Sequence, residues 1–345
     1  MEGKFAGRAL GLAVVLCALG RRIRSFVFAS LVMAIASPAF ADVYNYATLS
    51  DPDAVPTFNS GPGGTWAYGI GGNTVVGAYV NNTGQHGFSE TNGVYTPLDD
   101  PFRGAGQSTV PQGISGNTVV GYFSNSTGIH GFSETNGLYT TLDNPSAYGV
   151  QNAYGTYVTG LSGNTVVGYY NDSSTNIHGF SETNGNYTTL DVPGGSGTHV
   201  TGISGNTIVG FFYNGITIDS FSYDMTDDAY TIFNESLSTA EPYEYTYAYG
   251  ISGNTIVGSF ENALDGGHGF SEANGIYTFL DDPSAEGPNG NIGYTTAYGI
   301  DGSTVVGAYF DNGTYYGFIA TPAPEPASLG ILSIGVFGML VRRRA

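Results

Sequence analysis

The sequence predicts an all-β protein, a six-bladed β-propeller of four-stranded antiparallel blades closed by an N-terminal strand that completes the last blade. Three observations carry that expectation. The first is repetition: GISGNTVVGYF at 113–123 recurs with small changes at 69, 160, 202, 250 and 299. The second is composition, 54 Gly and 46 Tyr plus Phe with only 11% charged residues, which suits turn-rich sheet better than helical bundles or disorder. The third lies at the ends of the repeat region. The last module stops after YYGFIATP without its final block, and the region opens at 43–52 with VYNYATLSDP, which is that block.

The elements follow in chain order. Residues 1–41 read as a secretory signal peptide: Arg21, Arg22 and Arg24, an apolar run from Phe26 to Ala36, then Ala39-Phe40-Ala41 before Asp42. Small residues at Ala39 and Ala41 place cleavage before Asp42. The apolar run is well short of the roughly 18–20 residues of a spanning helix. Residues 42–321 are the repeat domain. Its successive module starts lie 44, 47, 42, 48 and 49 residues apart, the size of a four-stranded propeller blade. In module three the extended runs fall at 156–162, 165–170, 177–182 and 186–191, separated by Gly-Asn, Asn-Asp-Ser and Asn-Gly clusters that tolerate the left-handed backbone of tight hairpins. The recurring Gly of VVG is expected to let neighbouring sheets approach closely. A β-solenoid is the alternative. It would want capping modules rather than a strand borrowed from the far terminus.

Residues 322–345 are a separate tail: PAPEP, an apolar stretch at 327–341, then Arg342, Arg343 and Arg344. The arginines hold that end on the cytoplasmic side of a membrane. The stretch is 15 residues, about 22 Å as a helix, short for a permanent anchor in a core of roughly 30 Å. Pro324, Glu325 and Pro326, the apolar stretch and the arginine triplet together resemble the PEP-CTERM sorting tail of Gram-negative bacteria. That resemblance implies an exosortase-type membrane protease as partner and delivery to the outer surface or an extracellular polysaccharide matrix, with the span only a transient anchor. The repeats in turn resemble the secreted HAF-type extracellular repeat, from which this chain departs by His-Gly-Phe at 86, 130, 178 and 268.

Charge narrows the function. Between Asp42 and Thr321, Arg103 stands alone against 26 acidic residues, a net charge of −25. Such a surface excludes nucleic-acid partners and attracts divalent cations. The single Cys17 lies in the leader, so disulfides, thiol catalysis and Cys-based zinc sites are excluded from the repeat domain. His86, His130, His178 and His268 occupy one module position and are expected to be structural; modules four and six are read as placing Ser220 and Tyr316 there. The LDxP carboxylates Asp99, Asp143, Asp191 and Asp281 are expected to make Asx-turns rather than catalysis. No catalytic residue, resident metal or cofactor is assigned. The candidate ligand-binding residues are the non-repeated ones: Trp66, Arg103 and His199, and the acidic insert Asp219, Asp224, Asp227 and Asp228. Loops at 261–267 and 310–313 offer oxygen ligands for weak Ca²⁺ binding. The reading is a non-enzymatic structural or adhesive protein. A glycan- or calcium-binding propeller is the alternative, and a secreted hydrolase the third.

Overall fold

The structure, a computed structural model, describes residues 44–58, 61–149, 154–234, 245–262, 266–285 and 293–323. Among them are six four-stranded antiparallel sheets and a small two-stranded ribbon, Thr57–Phe58 with Gly61–Pro62. Blade 1 comprises Thr65–Gly71, Thr74–Asn81, Gly84–Thr91 and Val94–Pro97, in sequence order across the sheet. Blades 2 to 5 repeat it from Thr109, Thr156, Ser196 and Tyr245. In blade 3 the strands are Thr156–Ser162, Thr165–Asn171, Ile177–Thr183 and Asn186–Leu190, within one residue of the expected runs. Blade 6 takes three strands from Thr295–Pro322, and its fourth is Tyr44–Leu49, which pairs Tyr44 with Pro322 and Leu49 with Gly317.

Closure is decided at the first strands. A Cβ built on Gly69 would lie 3.1 Å from the Cα of Gly113, and the same near-contact runs from Gly113 to Gly160, Gly202, Gly250, Gly299 and back to Gly69. Six glycines thus form a ring in which backbone meets backbone, which an open solenoid cannot do. The buried Thr65 hydroxyl accepts the backbone N–H of Asp51, from the borrowed strand's connection, at 3.0 Å. The same bond joins Asp100 to Thr109, Asn144 to Thr156, Val192 to Thr198 and Asp282 to Thr295. One linkage therefore stitches these blade junctions and the closure alike.

The VVG glycine works inside its blade, which corrects the expectation that it lets sheets approach. A Cβ on Gly77 would fall 2.0 Å from the Trp66 carbonyl of its own first strand and 3.0 Å from the Phe88 ring. The cause is the register shift at Ala67/Gly69, a bulge that drives one strand into the next. At the other end of each hairpin, Asn92, Asn136, Asn184 and Asn274 adopt φ of 53, 52, 54 and 54° and are followed by positive-φ glycines, as a type I′ turn requires. The Gly93 N–H donates to the Glu90 carboxylate, with matching bonds in blades 2, 3 and 5.

The core is divided among the blades. Each buries one phenylalanine of the third strand (Phe88, Phe132, Phe180, Phe221, Phe270 or Phe318) to 1% exposure or less. Truncating one to Ala is expected to cost about 3–5 kcal/mol.

Candidate functional site

The first strands surround a central cavity of about 210 Å³. Its walls are rings of equivalent residues: Ile70, Ile114, Leu161, Ile203, Ile251 and Ile300, then the six glycines, then the residues just before them. That last ring is not uniform. Blades 5, 6 and 1 supply Tyr249, Tyr298 and Tyr68, while blades 2, 3 and 4 supply Gln112, Thr159 and Thr201. In blades 2 to 4 an aromatic residue enters instead from the second strand, directly after the VVG glycine: Tyr122, Tyr169 and Phe211. Blades 5, 6 and 1 hold Ser259, Ala308 and Ala78 there. Every blade therefore contributes one Tyr or Phe ring to the cavity wall, from one of two positions, and blade 4 adds the His199 imidazole.

These rings form a nearly continuous belt. Tyr68 meets Tyr298 at 5.1 Å between centroids, Tyr298 meets Tyr249 at 5.1 Å, and Tyr249 meets Phe211 at 6.0 Å. Phe211 stacks on His199 at 4.6 Å, His199 meets Tyr169 at 4.7 Å, and Tyr157 bridges Tyr169 to Tyr122 at 4.5 and 5.1 Å. Such spacings are favourable for aromatic pairs. The side chains are half-buried, because they face the cavity rather than a solid core.

The lining is uncharged. Burial holds the phenols of Tyr68, Tyr169 and Tyr249 well above their ordinary range and raises Tyr298 to about 12. Burial also pulls the His199 imidazole down, opposed by the bond its Nδ1 donates to the Gly197 carbonyl at 2.8 Å, so the ring is neutral. Thr159 and Thr201 spend their hydroxyls on backbone: Thr159 donates to Val200 O at 2.9 Å and Thr201 to Ala248 O at 2.8 Å. Glu261, on the second strand of blade 5, is half-buried, and desolvation raises its carboxyl.

The repeated histidines lie elsewhere, beside the loop between second and third strands. Each donates from Nδ1 to a carboxylate thirteen residues on: His86 to Asp99 at 2.7 Å, His130 to Asp143 and His178 to Asp191 at 2.8 Å, and His268 to Asp281 at 2.9 Å. Each ring also stacks on an aromatic neighbour: Tyr79, Phe123, Tyr170 or Phe260. In blade 1, Thr83 Oγ1 lies 2.7 Å from His86 Nε2, so Thr83, His86 and Asp99 have the connectivity of a hydrolytic triad. Thr83 Oγ1 is also 2.6 Å from Asn81 Oδ1, an oxygen identified by accepting the Thr83 N–H at 2.8 Å. The hydroxyl proton is shared with that turn, and blade 2 repeats the arrangement through Asn125, Thr127 and His130. The geometry is that of a clamp across a loop.

Two sequence expectations are corrected here. The Asx-turns are made one residue later than expected, by Asp51, Asp100, Asn144 and Asp282, whose Oδ1 atoms accept the N–H two residues on at 2.8–2.9 Å. Asp99, Asp143, Asp191 and Asp281 are instead the histidine partners. In blade 4 the histidine position is Asp219, not Ser220, because Phe221 takes the buried place of Phe88. Its partner is Asn234, whose Nδ2 donates to Asp219 Oδ1 at 3.0 Å, so the pair keeps its bond with the acceptor moved to the other strand. Ser220 lies fully buried, donating to Thr246 O and accepting the Ala248 N–H of blade 5. Tyr316 does occupy the histidine position of blade 6, stacked on Tyr309.

The non-repeated candidates do not converge. Trp66 packs on Tyr315 at 5.0 Å, at the seam of blades 1 and 6 and outside the cavity lining. Arg103 reaches Asp99 at 3.4 Å and donates to Gln107 O at 2.6 Å, holding the connection between blades 1 and 2. Asp219 sits near one end of the strand Ile218–Asp224, while Asp224 and Asp228 shape the hairpin at the other, about 17 Å away at strand rise. Asp227 lies in that same hairpin. Of the calcium-loop candidates, 261–267 falls partly outside the described residues, and Asp311 accepts from Asn312 Nδ2 at 2.8 Å. Among the described residues no group of three His, Cys, Asp or Glu is placed to hold a metal ion. His199 alone of the candidates lines the cavity. Sequence reasoning missed its six aromatic partners. Their signal was present as reciprocal size: large before the first glycine and small after VVG, or the reverse.

Fold and site together define a closed six-bladed propeller whose first strands surround an aromatic-lined central cavity. Residues 322–344 match the PEP-CTERM protein-sorting motif, a signal recognised by exosortase. Pro324, Glu325, Pro326 and Arg342 to Arg344 lie within that match; these residues and the leader positions Ala39, Ala41 and Asp42 all lie outside the described residues. No curated protein matches the chain by sequence. Solved structures similar to it include AofleA from Arthrobotrys oligospora, 13% identical over 84% of this chain and 92% of that one with a TM-score of 0.43. Another is the Aleuria aurantia lectin, 12% identical over 76% and 96% with a TM-score of 0.39. A third is the β-propeller domain of the trilobed protease from Pyrococcus furiosus, 12% identical over 76% and 84% with a TM-score of 0.41.

Proposed function

We propose that this protein is exported by the signal peptide at 1–41, sorted through its tail by an exosortase-type protease, and released at the outer surface of a Gram-negative cell. There its HAF-like repeat domain has a structural or adhesive role in the envelope or extracellular polysaccharide matrix, without enzymatic activity. The observation that carries this reading is the sorting motif at 322–344, joined to a repeat domain of charge −25. Coulomb repulsion acts within about 8–10 Å at moderate salt, so contact with anionic polysaccharide needs divalent cations as bridges. A non-enzymatic role is supported by the way each LDxP carboxylate is spent on its own blade's histidine.

The test is immunoblotting of cell fractions for wild type, for a variant with Arg342, Arg343 and Arg344 changed to Gln, and for chelator-washed wild type. Wild-type protein is expected outside the inner membrane with its tail removed. The variant should accumulate uncleaved, and the chelator should release surface protein. An intact tail on the mature wild type sinks the sorting reading, and no release by the chelator sinks the bridging one.

A further inference from the structure

The central channel calls for an occupant of its own. Its volume of about 210 Å³ is below the roughly 300–1,000 Å³ of drug-sized pockets, so it suits a compact group rather than a polymer or a peptide. A space meant only to be filled would be closed by aliphatic side chains. Here each blade instead brings one Tyr or Phe ring, and five of the six are tyrosines.

The lining selects among ligand classes. Anions are disfavoured, because no Lys or Arg lines the cavity and the domain around it carries −25. A neutral polyol would be held by hydrogen bonds alone, and with Thr159 and Thr201 already bonded to backbone carbonyls its partners are Gln112 and the tyrosine hydroxyls, so the neutral counterpart of each probe below separates that reading from a cation site. Around these groups runs a belt of aromatic rings inside a strongly negative body. Ring faces attract cations through their quadrupole, most strongly where water is excluded, and aromatic cages recognise ammonium groups in this way. Burial keeps these phenols protonated, so the rings line the cavity without adding fixed charge. Nearby Glu261 supplies a carboxylate whose field reaches Tyr247, Tyr249 and Tyr298.

We propose that the channel is a binding site for an organic ammonium group, held among the rings of Tyr68, Tyr122, Tyr169, Phe211, Tyr249 and Tyr298. Two sources present this chemistry, a free alkylammonium compound and an amino sugar with an unacylated amine. The inference does not depend on where the protein is sorted.

Isothermal titration calorimetry on the purified full-length chain tests it. The probes are choline, its neutral isostere with carbon in place of nitrogen, glucosamine and N-acetylglucosamine. Choline or glucosamine is expected to bind, with each neutral counterpart weaker by about tenfold or more. Tighter binding of glucosamine than of choline assigns the amino-sugar source, and the reverse order the alkylammonium source. Tyr298→Phe keeps the ring and should retain affinity, whereas Tyr298→Leu should lose about tenfold. Phe211→Leu, on another blade, provides the same test if Tyr298→Leu does not fold. Glu261→Gln should weaken both ammonium probes and leave the neutral ones unchanged. Equal binding of charged and neutral members of a pair, no binding of either ammonium probe, or equal affinity of the Phe and Leu variants overturns the proposal.

Discussion

Blades 5, 6 and 1 build the channel differently from blades 2, 3 and 4. The first group places tyrosine on the first strand and Ser or Ala on the second; the other group places Gln or Thr on the first strand and Tyr or Phe on the second. Between these positions lies the glycine ring, which is the same in all six blades. The difference teaches that two constraints act on adjacent residues. Backbone contact between blades leaves no alternative to glycine, whereas one ring per blade can be met from either strand.

The largest expected effect falls on the shared element. Gly250→Val puts a side chain against Tyr298 O at 2.7 Å and Gly299 Cα at 3.1 Å, backbone that belongs to the next blade. Destabilisation of more than about 4 kcal/mol is expected, seen as a collapsed unfolding midpoint in circular dichroism. Gly113→Val in the other half meets Gly160 Cα and Thr159 O only at 3.3 Å and should cost less, while a mild effect of Gly250→Val would mean that the ring can open.

Moving an aromatic ring between strands sharpens the comparison. Tyr68→Ala should cost about 2–3 kcal/mol, and Ala78→Tyr about 1–3 kcal/mol from overpacking. The double variant gives blade 1 the plan of blade 3, so the cycle should show a favourable coupling of about 1–3 kcal/mol. Additive losses in denaturant unfolding would show that the two positions do not share one space.

A third prediction uses the clamps, which divide the blades differently. Burial pulls the His178 imidazole down, but its bonds and charge interactions with Asp191 and Asp172 outweigh this, and the net shift is upward. A raised folded-state value stabilises below the unfolded histidine pKa of about 6.5. That contribution fades as pH rises through the folded value. The gap in melting temperature between wild type and His178→Gln should therefore be wide at pH 6 and narrow by pH 9. Blade 4, with Asp219 and Asn234, has no imidazole to titrate there, so Asn234→Ala should cost similar stability at both pH values.

The smallest effect concerns Asp282, which burial raises and whose Oδ2 is buried without a partner among the described residues. Asn144 fills the same position in blade 2 and makes the same turn. Asp282→Asn should stabilise by about 0.5–1 kcal/mol at pH 7. The gain should shrink in acid as the wild-type carboxyl protonates, and a loss at pH 7 would assign the charge a role in the seam.

Much of this molecule was legible in its sequence, because repetition turns local preference into architecture. Strand runs, Asn-Gly hairpins and the borrowed strand at 43–52 each follow from short-range chemistry copied several times, and the sorting tail is a linear signal that needs no fold. The clamp partners were harder to read, since His and Asp thirteen residues apart meet only after the third and fourth strands pair in register. Blade 4 replaces both the histidine and the glycine after it, by Asp219 and Ser220, and with neither marker left the position was read one residue late. Closure by backbone contact, and the exchange of channel rings between strands, were decided only by the tertiary structure. In blade 1 the ring comes from Tyr68, at the register shift between Ala67 and Gly69, and in blade 3 from Tyr169 on the second strand, an exchange that shows only once the strands are paired around the axis. The six rings become one belt only when six blades set about 47 residues apart are brought around that axis.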